Sequence, residues 1–317
     1  MSLPMGRPMR EIFGETVTAL ADGDPRIVVL DGDLGSSTKA DIFQAAHPER
    51  FLQMGIAEQN LMGVAAGLAT MGFIPFISTF VSFAVIRPLD QIRVLIAQPG
   101  LNVKITAGYA GLFTGMAGKT HQVVDDVTIM RAMPGMVTVS PADDVEAEAV
   151  LRYAAVHEGP IYVRLVRDAT QRLFDGSYRF ELGRAIVVRE GRDVTLISTG
   201  AQTPRTFDAA ELLAGEGIDV HLVHVPTIKP LDEAAILAAA QRTGFVITVE
   251  EHTVLGGLGG AVAETLADRH PTPVKRLGLQ DVYGESAPND ALLEMFGLSA
   301  ARVAGQVRAL LGRAGGS

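Results

Sequence analysis

Short, unbroken apolar runs recur along this 317-residue chain, each set beside a stretch of helical spacing. That alternation limits the fold more than any other feature. The first run is Arg26-Ile27-Val28-Val29-Leu30, which ends at Asp31-Gly32-Asp33. Others lie near residues 73–77, 103–106, 136–139 and 161–165, with helical segments at 10–21, 61–69, 88–96, 123–132 and from 142 onward. Strands that are apolar without alternation are buried on both faces, the habit of a parallel sheet covered by helices. The stretch 168–192 is charged, carries Gly176, Gly183 and Gly191, and breaks the rhythm. It reads as an ordered connector with a strand or two. The rhythm then resumes with strands at 194–198, 220–225, 245–250 and 274–277 and helices at 203–214, 232–240, 260–267 and from 291. The expectation is α/β: two doubly wound domains with mainly parallel sheets, at 1–168 and 193–317, joined by the connector 169–192. The length agrees, because it exceeds what one core needs. The tail from Gly312 to Ser317 is expected to fray.

Composition removes several classes of function. A hydrophobic content of 48% with 20% charged residues is that of a globular chain. Lys plus Arg number 27 against 36 Asp plus Glu, a net charge of −9, which argues against binding nucleic acid or an anionic membrane. The absence of cysteine excludes a disulfide framework and a thiolate metal site. Residues 1–8 have no apolar core of a secretory signal, and Gly, Pro or charge interrupts every apolar stretch short of a membrane span. A soluble, cytoplasmic protein is expected.

The stretch Gly55-Ile56-Ala57-Glu58-Gln59-Asn60 precedes Leu61-Met62-Gly63-Val64-Ala65-Ala66-Gly67-Leu68-Ala69, a helical run with almost no polar face. A helix apolar all round is a buried helix, so Glu58 enters the first turn of an element bound for the interior. A buried carboxylate is costly unless partnered. Either the free amides of that turn satisfy Glu58, or it awaits a ligand carrying the proton it needs.

Downstream of Glu58 come Ser78-Thr79-Phe80, Asp90-Gln91-Ile92-Arg93 and Thr120-His121-Gln122. In this order the motifs resemble transketolase-like thiamine diphosphate enzymes, most of all the second subunit of split transketolases, whose halves are separate polypeptides. The resemblance runs from about Arg10 to the last helix and implies a pyrimidine-binding domain followed by a transketolase C-terminal domain. It also implies thiamine diphosphate and Mg²⁺ as cofactors. By this resemblance Glu58 holds the aminopyrimidine ring nitrogen and shares its proton in a water-poor pocket, so that the cofactor's amine removes the weakly acidic thiazolium proton. Phe80 and Phe83, which alone would read as core aromatics, stand where that ring stacks. Ile56 and Ile86 are further cofactor contacts, Ile86 replacing a tyrosine of full-length transketolases. His121 matches a substrate-contacting and proton-moving histidine. Arg167 matches an arginine that grips the substrate phosphate, whereas Arg164 reads equally well as half of a structural ion pair.

The departures from the family are informative. Tyr109 replaces a donor-binding histidine, and Met116-Ala117 replaces an acidic residue for an acceptor hydroxyl. Apolar side chains there cannot accept that hydrogen bond, which points away from ordinary pentose phosphates. Asp31-Gly32-Asp33-Leu34-Gly35-Ser36 fails as an EF-hand, since Ser36 holds the required glycine position, and lacks the third glycine of the family's diphosphate and Mg²⁺ motif. It reads as a lining of the substrate mouth, with Ser36 and Ser37 as contacts. Gly256-Gly257-Leu258-Gly259-Gly260 lacks the third glycine of a dinucleotide loop and reads as helix-packing chemistry. With Val249-Glu250-Glu251-His252 it falls in the C-terminal domain, whose expected work is to stabilise a dimer.

No metal motif remains in this chain, so the phosphate half of the site must come from a larger partner subunit, most simply in an α₂β₂ assembly with a self-associated dimer of this chain. The reaction implied is transfer of a ketol or related acyl-equivalent unit from a ketone donor to an aldehyde acceptor. One alternative is the β subunit of a 2-oxo acid dehydrogenase E1 component, against which Thr120-His121-Gln122 and Glu250-Glu251-His252-Thr253 weigh. The other is a non-catalytic assembly subunit, which has no need of a buried Glu58.

Overall fold

Ile27–Asp31 and Ile74–Ser78, buried along their whole length, pair in parallel inside a seven-stranded sheet, with Ile27 opposite Ile74 and Leu30 opposite Ile77. The computed structural model describes residues 3–312, so the tail expected to fray lies, from 313 on, outside the described residues. Across the sheet the order is Thr227–Lys229, Val137–Val139, Ile161–Arg164, Lys104–Ala107, Ile74–Ser78, Ile27–Asp31 and Phe51–Gln53. All neighbours are parallel except Thr227–Lys229, which comes from the second half of the chain and runs antiparallel to Val137–Val139. Helices on both faces explain why these strands lack alternation.

The second sheet has the order Val274–Leu279, Val246–Thr253, Val194–Ser198, Val220–His224 and Ile186–Arg189, and only the last, from the connector, is antiparallel. Its two faces carry separate apolar clusters, Leu196, Leu222 and Ile247 on one and Ile197, Val223 and Val246 on the other. Helix starts follow from side-chain caps: Asp143 accepts from the Glu146 amide and Asp232 from that of Ala235.

Two expectations need correction, and three strands were not foreseen. The helix expected at 88–96 is instead wide π-type turns at Ser82–Ile86 and Ile92–Ala97, divided by Pro88 and the short Leu89–Gln91 turn. Proline removes a donor from the helical ladder, and π turns absorb the mismatch, often beside functional sites. The Glu58–Thr70 helix buries Leu61, Met62, Ala65 and Ala66, but Asn60, Gly67 and Thr70 are exposed, so one face is uncovered in this chain. Finally, Met5–Pro8, Phe51–Gln53 and Thr227–Lys229 are strands too short to leave a periodic trace. No helix among the described residues is long and apolar enough to cross a membrane.

Candidate active site

Gly55, at φ +68°, makes the turn that presents the next helix, a backbone conformation glycine adopts without strain. Glu58 begins the helix with its side chain only 4% exposed. Its partner is the Arg87 guanidinium, whose Nη1 donates to Oε1 at 2.8 Å, in place of the first-turn amides. Arg87 is itself 45% exposed and lies with Cζ 4.0 Å over the Phe83 ring, while its carbonyl accepts from Gln59 Nε2 at 3.3 Å. The π turn at Ser82–Ile86 thus sets Phe83 and Arg87 against the start of the Glu58 helix.

From Phe83 the contacts continue as an aromatic wall. Phe80 stacks on Phe83 at 5.9 Å between centroids and on Tyr109 at 3.7 Å, both near-parallel. Tyr109 holds a left-handed backbone (φ +64°), a strained conformation for a bulky residue that the close stacking maintains. His121 meets Phe83 edge-on at 5.4 Å and Phe80 at 6.1 Å, with Thr120 Oγ1 2.9 Å from its Nδ1. It lies in a turn ahead of the Asp126–Ala132 helix, which begins later than the 123–132 expected because residues 118–125 are irregular. Arg167 Cζ completes the series 5.5 Å from the Tyr109 ring. Beside this wall is a cleft of about 430 Å³ bordered by Ser37, Tyr109, Met116 and Arg167.

The loop at the cleft mouth is folded by Asp31. This fully buried carboxylate accepts from the Leu34 and Gly35 amides at 3.0 and 3.1 Å and from Gln53 Nε2 at 2.9 Å, and burial pushes its pKa up. Ser37 reaches the cleft and Ser36 is exposed. Ile56 and Ile86, both expected near a cofactor, stand at the surface, 74% and 45% exposed.

Residues 6–172 match the transketolase pyrimidine binding domain, and residues 183–303 the transketolase C-terminal domain. The chain belongs to the transketolase family. It is 41% identical over 295 residues to the 6-deoxy-6-sulfo-D-fructose transketolase subunit SqwH of Clostridium sp. (strain MSTE9), covering 93% of this chain and 92% of that one. It is 36% identical over 281 residues to an apulose-4-phosphate transketolase subunit of Phocaeicola vulgatus, covering 87% and 90%. A solved structure described as a split gene transketolase, inactive beta4 tetramer, aligns with a TM-score of 0.88 at 46% identity, over 97% of this chain and 99% of its own. This transketolase chain therefore has the extent and domain content of the second subunit of a split enzyme.

The contacts from Glu58 to Arg167 all lie in the transketolase pyrimidine-binding part. Sequence reasoning missed Arg87, although its place four residues beyond Phe83 was visible. It also missed the polar junction beneath the wall. Asp126 Oδ2 accepts from Arg164 Nε at 2.8 Å and from the Tyr162 hydroxyl at 2.5 Å, so Arg164 makes the structural ion pair. Glu250 accepts from the Leu258 and Gly259 amides, both at 2.8 Å, which occupies the glycine-rich segment from within the chain. Burial raises Glu250 to about 7 and lowers His252 to about 4. Glu251 Oε1 accepts from the Leu112 amide at 2.5 Å. The 249–252 segment thus joins the two halves of this chain. Among the described residues, no three His, Cys, Asp or Glu side chains converge to hold a metal ion.

Proposed function

We propose that this chain is the β-type subunit of a split, thiamine-diphosphate-dependent transketolase and moves a ketol unit from a ketose donor to an aldehyde acceptor. The carrying observation is Glu58, a carboxylate buried beside an aromatic wall and held by one side chain that has a route to solvent. The residues fit the aminopyrimidine half of the cofactor: an acid for the ring nitrogen, with Phe83 and Phe80 to cover the ring and keep water out. Mg²⁺ and the diphosphate are, in this reading, held by the larger subunit, whose oxygen ligands would complete the site. When bound, thiamine diphosphate supplies the carbanion chemistry that cleaves and rebuilds a carbon–carbon bond.

In this reading Arg87 gives up Glu58, whose carboxylate then shares a proton with the ring nitrogen. His121, edge-on to both phenylalanines, is set to hold and move a proton at the substrate oxygen. Arg167 receives an anionic tail at the cleft. The relative named for a sulfonated ketose supports such a tail, and Met116 and Ala117 at the rim support a substrate other than the ordinary pentose phosphates. Ile56 and Met71 at the two ends of the Glu58 helix, and Ile86, Leu89, Val94 and Leu95 on and between the π turns, are exposed apolar side chains that favour cover. An α₂β₂ assembly covers them with a second copy and the larger subunit, and the relative's inactive β tetramer accords with a need for that partner.

The test is reconstitution with the larger subunit. Glu58→Gln is expected to leave assembly intact and remove ketol transfer; retained turnover would overturn the reading.

A further inference from the structure

The C-terminal half is not remote from the substrate cleft. Pro288 and Asn289 border it together with Tyr109 and Arg167. Asn289 Nδ2 donates to Asp168 Oδ2 at 2.8 Å, and Arg167 Nη1 donates to Asp168 Oδ1 at 2.9 Å. One carboxylate is therefore shared, an oxygen to each partner. On its other side Asn289 is seated against Gly115, which has φ +45°; a Cβ there would lie 2.5 Å from Asn289 Oδ1. The same loop is pinned by Ser286 Oγ, which donates to the Met116 carbonyl at 2.7 Å, and by Gln122 Nε2, which donates to the Glu285 carbonyl at 2.9 Å.

We infer that Asn289 is a positioning residue that sets recognition of an anionic substrate tail by Arg167. An arginine beside a free carboxylate tends toward the two-pronged pair, which spends two of its five donors. Asn289 holds Asp168 Oδ2 away and keeps the pair one-pronged, so the guanidinium fork, which also meets the Tyr109 side chain at the cleft wall, keeps donors for an incoming anion. Without Asn289, Asp168 turns its second oxygen to Arg167, engages the fork and places its charge nearer the incoming anion. The chemical class selected is a ketose or aldose ending in phosphate or sulfonate.

This inference rests on the proposed transketolase reading, and the experiment separates the two. Fructose 6-phosphate and fructose serve as donors for the enzyme reconstituted with its larger subunit, in wild type, Asn289→Ala, Asn289→Asp and Glu58→Gln forms. Asn289→Ala is expected to raise KM for the phosphorylated donor several-fold more than it changes kcat, with a much smaller change in KM for fructose. Asn289→Asp is expected to exceed it, since a second carboxylate beside Asp168 repels the anion. Calorimetric titration of inorganic phosphate into the isolated chain gives a readout without turnover: affinity falls in Asn289→Ala and is lost in Arg167→Ala. Equal KM changes for both donors, or phosphate affinity unaffected by Asn289→Ala, would overturn the inference while loss of turnover in Glu58→Gln left the parent reading standing. Turnover surviving in Glu58→Gln would overturn both.

Discussion

Glu58 and Glu250 are both buried carboxylates that meet the start of a helix, Glu58 as its first residue and Glu250 from a neighbouring strand, yet they are held in opposite ways. Glu250 accepts from two backbone amides and sits wholly inside the chain, with its ionised form penalised by burial. Glu58 is held by one guanidinium, itself half open to water and resting on an aromatic face. Backbone donors cannot leave without unwinding the helix, whereas a side-chain donor leaves by rotating about a few bonds. Burial of an acid is therefore a poor sign of function by itself. In the reading proposed above, the kind of donor separates a carboxylate that closes a structure from one kept for exchange.

The largest effect expected from this contrast is on catalysis. Glu58→Gln should lower ketol transfer of the reconstituted enzyme by about 10³-fold, within the range for losing a proton-transfer group, with little change in melting temperature. A third buried acid at a helix start, Asp126, sharpens the comparison because its cation, Arg164, is only 5% exposed. Asp126→Ala strands that charge and should cost about 3–5 kcal/mol in chemical denaturation. A loss under about 1 kcal/mol would place Asp126 with the replaceable surface pairs.

Glu250 yields a prediction in pH. Its folded value of about 7 lies above the ordinary 4.5, so the folded state holds the proton more tightly than the unfolded chain. This group's effect on stability is nil below pH 4.5, grows increasingly unfavourable as pH rises towards 7, and is constant above. The decline amounts to about 3–4 kcal/mol at most, because each pH unit between the two values contributes about 1.4 kcal/mol. Glu250→Gln, though less stable overall because its amide cannot accept from both helix-start donors, should show a flatter stability profile from about pH 5 to about pH 7.5 in urea titrations. Identical slopes would refute the assigned burial effect. The smallest effect belongs to Arg87→Ala, expected to destabilise the isolated chain by about 1 kcal/mol, because so exposed a cation is heavily screened. A cost matching that of Asp126→Ala would erase the distinction between the exchangeable and the fixed acid.

Most of the sheet architecture was readable because strands such as Ile27–Asp31 and Val194–Ser198 are buried on both faces and so are apolar at nearly every position. Phe51–Gln53 was not, since three residues set no period and only its neighbours in space make it a strand. The helix expected around Pro88 failed because average helical spacing does not distinguish α from π turns. At the site, Glu58, Phe80, Phe83 and His121 were nominated through short motifs, and the structure brings their side chains, with Arg87, into one set of contacts. Arg87 carries no motif of its own. Asn289 was beyond local reading altogether, since its partner Asp168 is 121 positions away and only the packing of the two halves joins them.

Thr227–Lys229 has one more implication. By position this strand belongs to the second half, yet it supplies the outermost hydrogen bonds of the first sheet along Val137–Val139. A fragment cut at the connector would bare that row of peptide groups, an invitation to pair with any extended chain nearby. Expressed alone, the pyrimidine-binding half should clump rather than persist as an autonomous module. The two halves are stitched through a shared sheet, and that seam resists a cut between them.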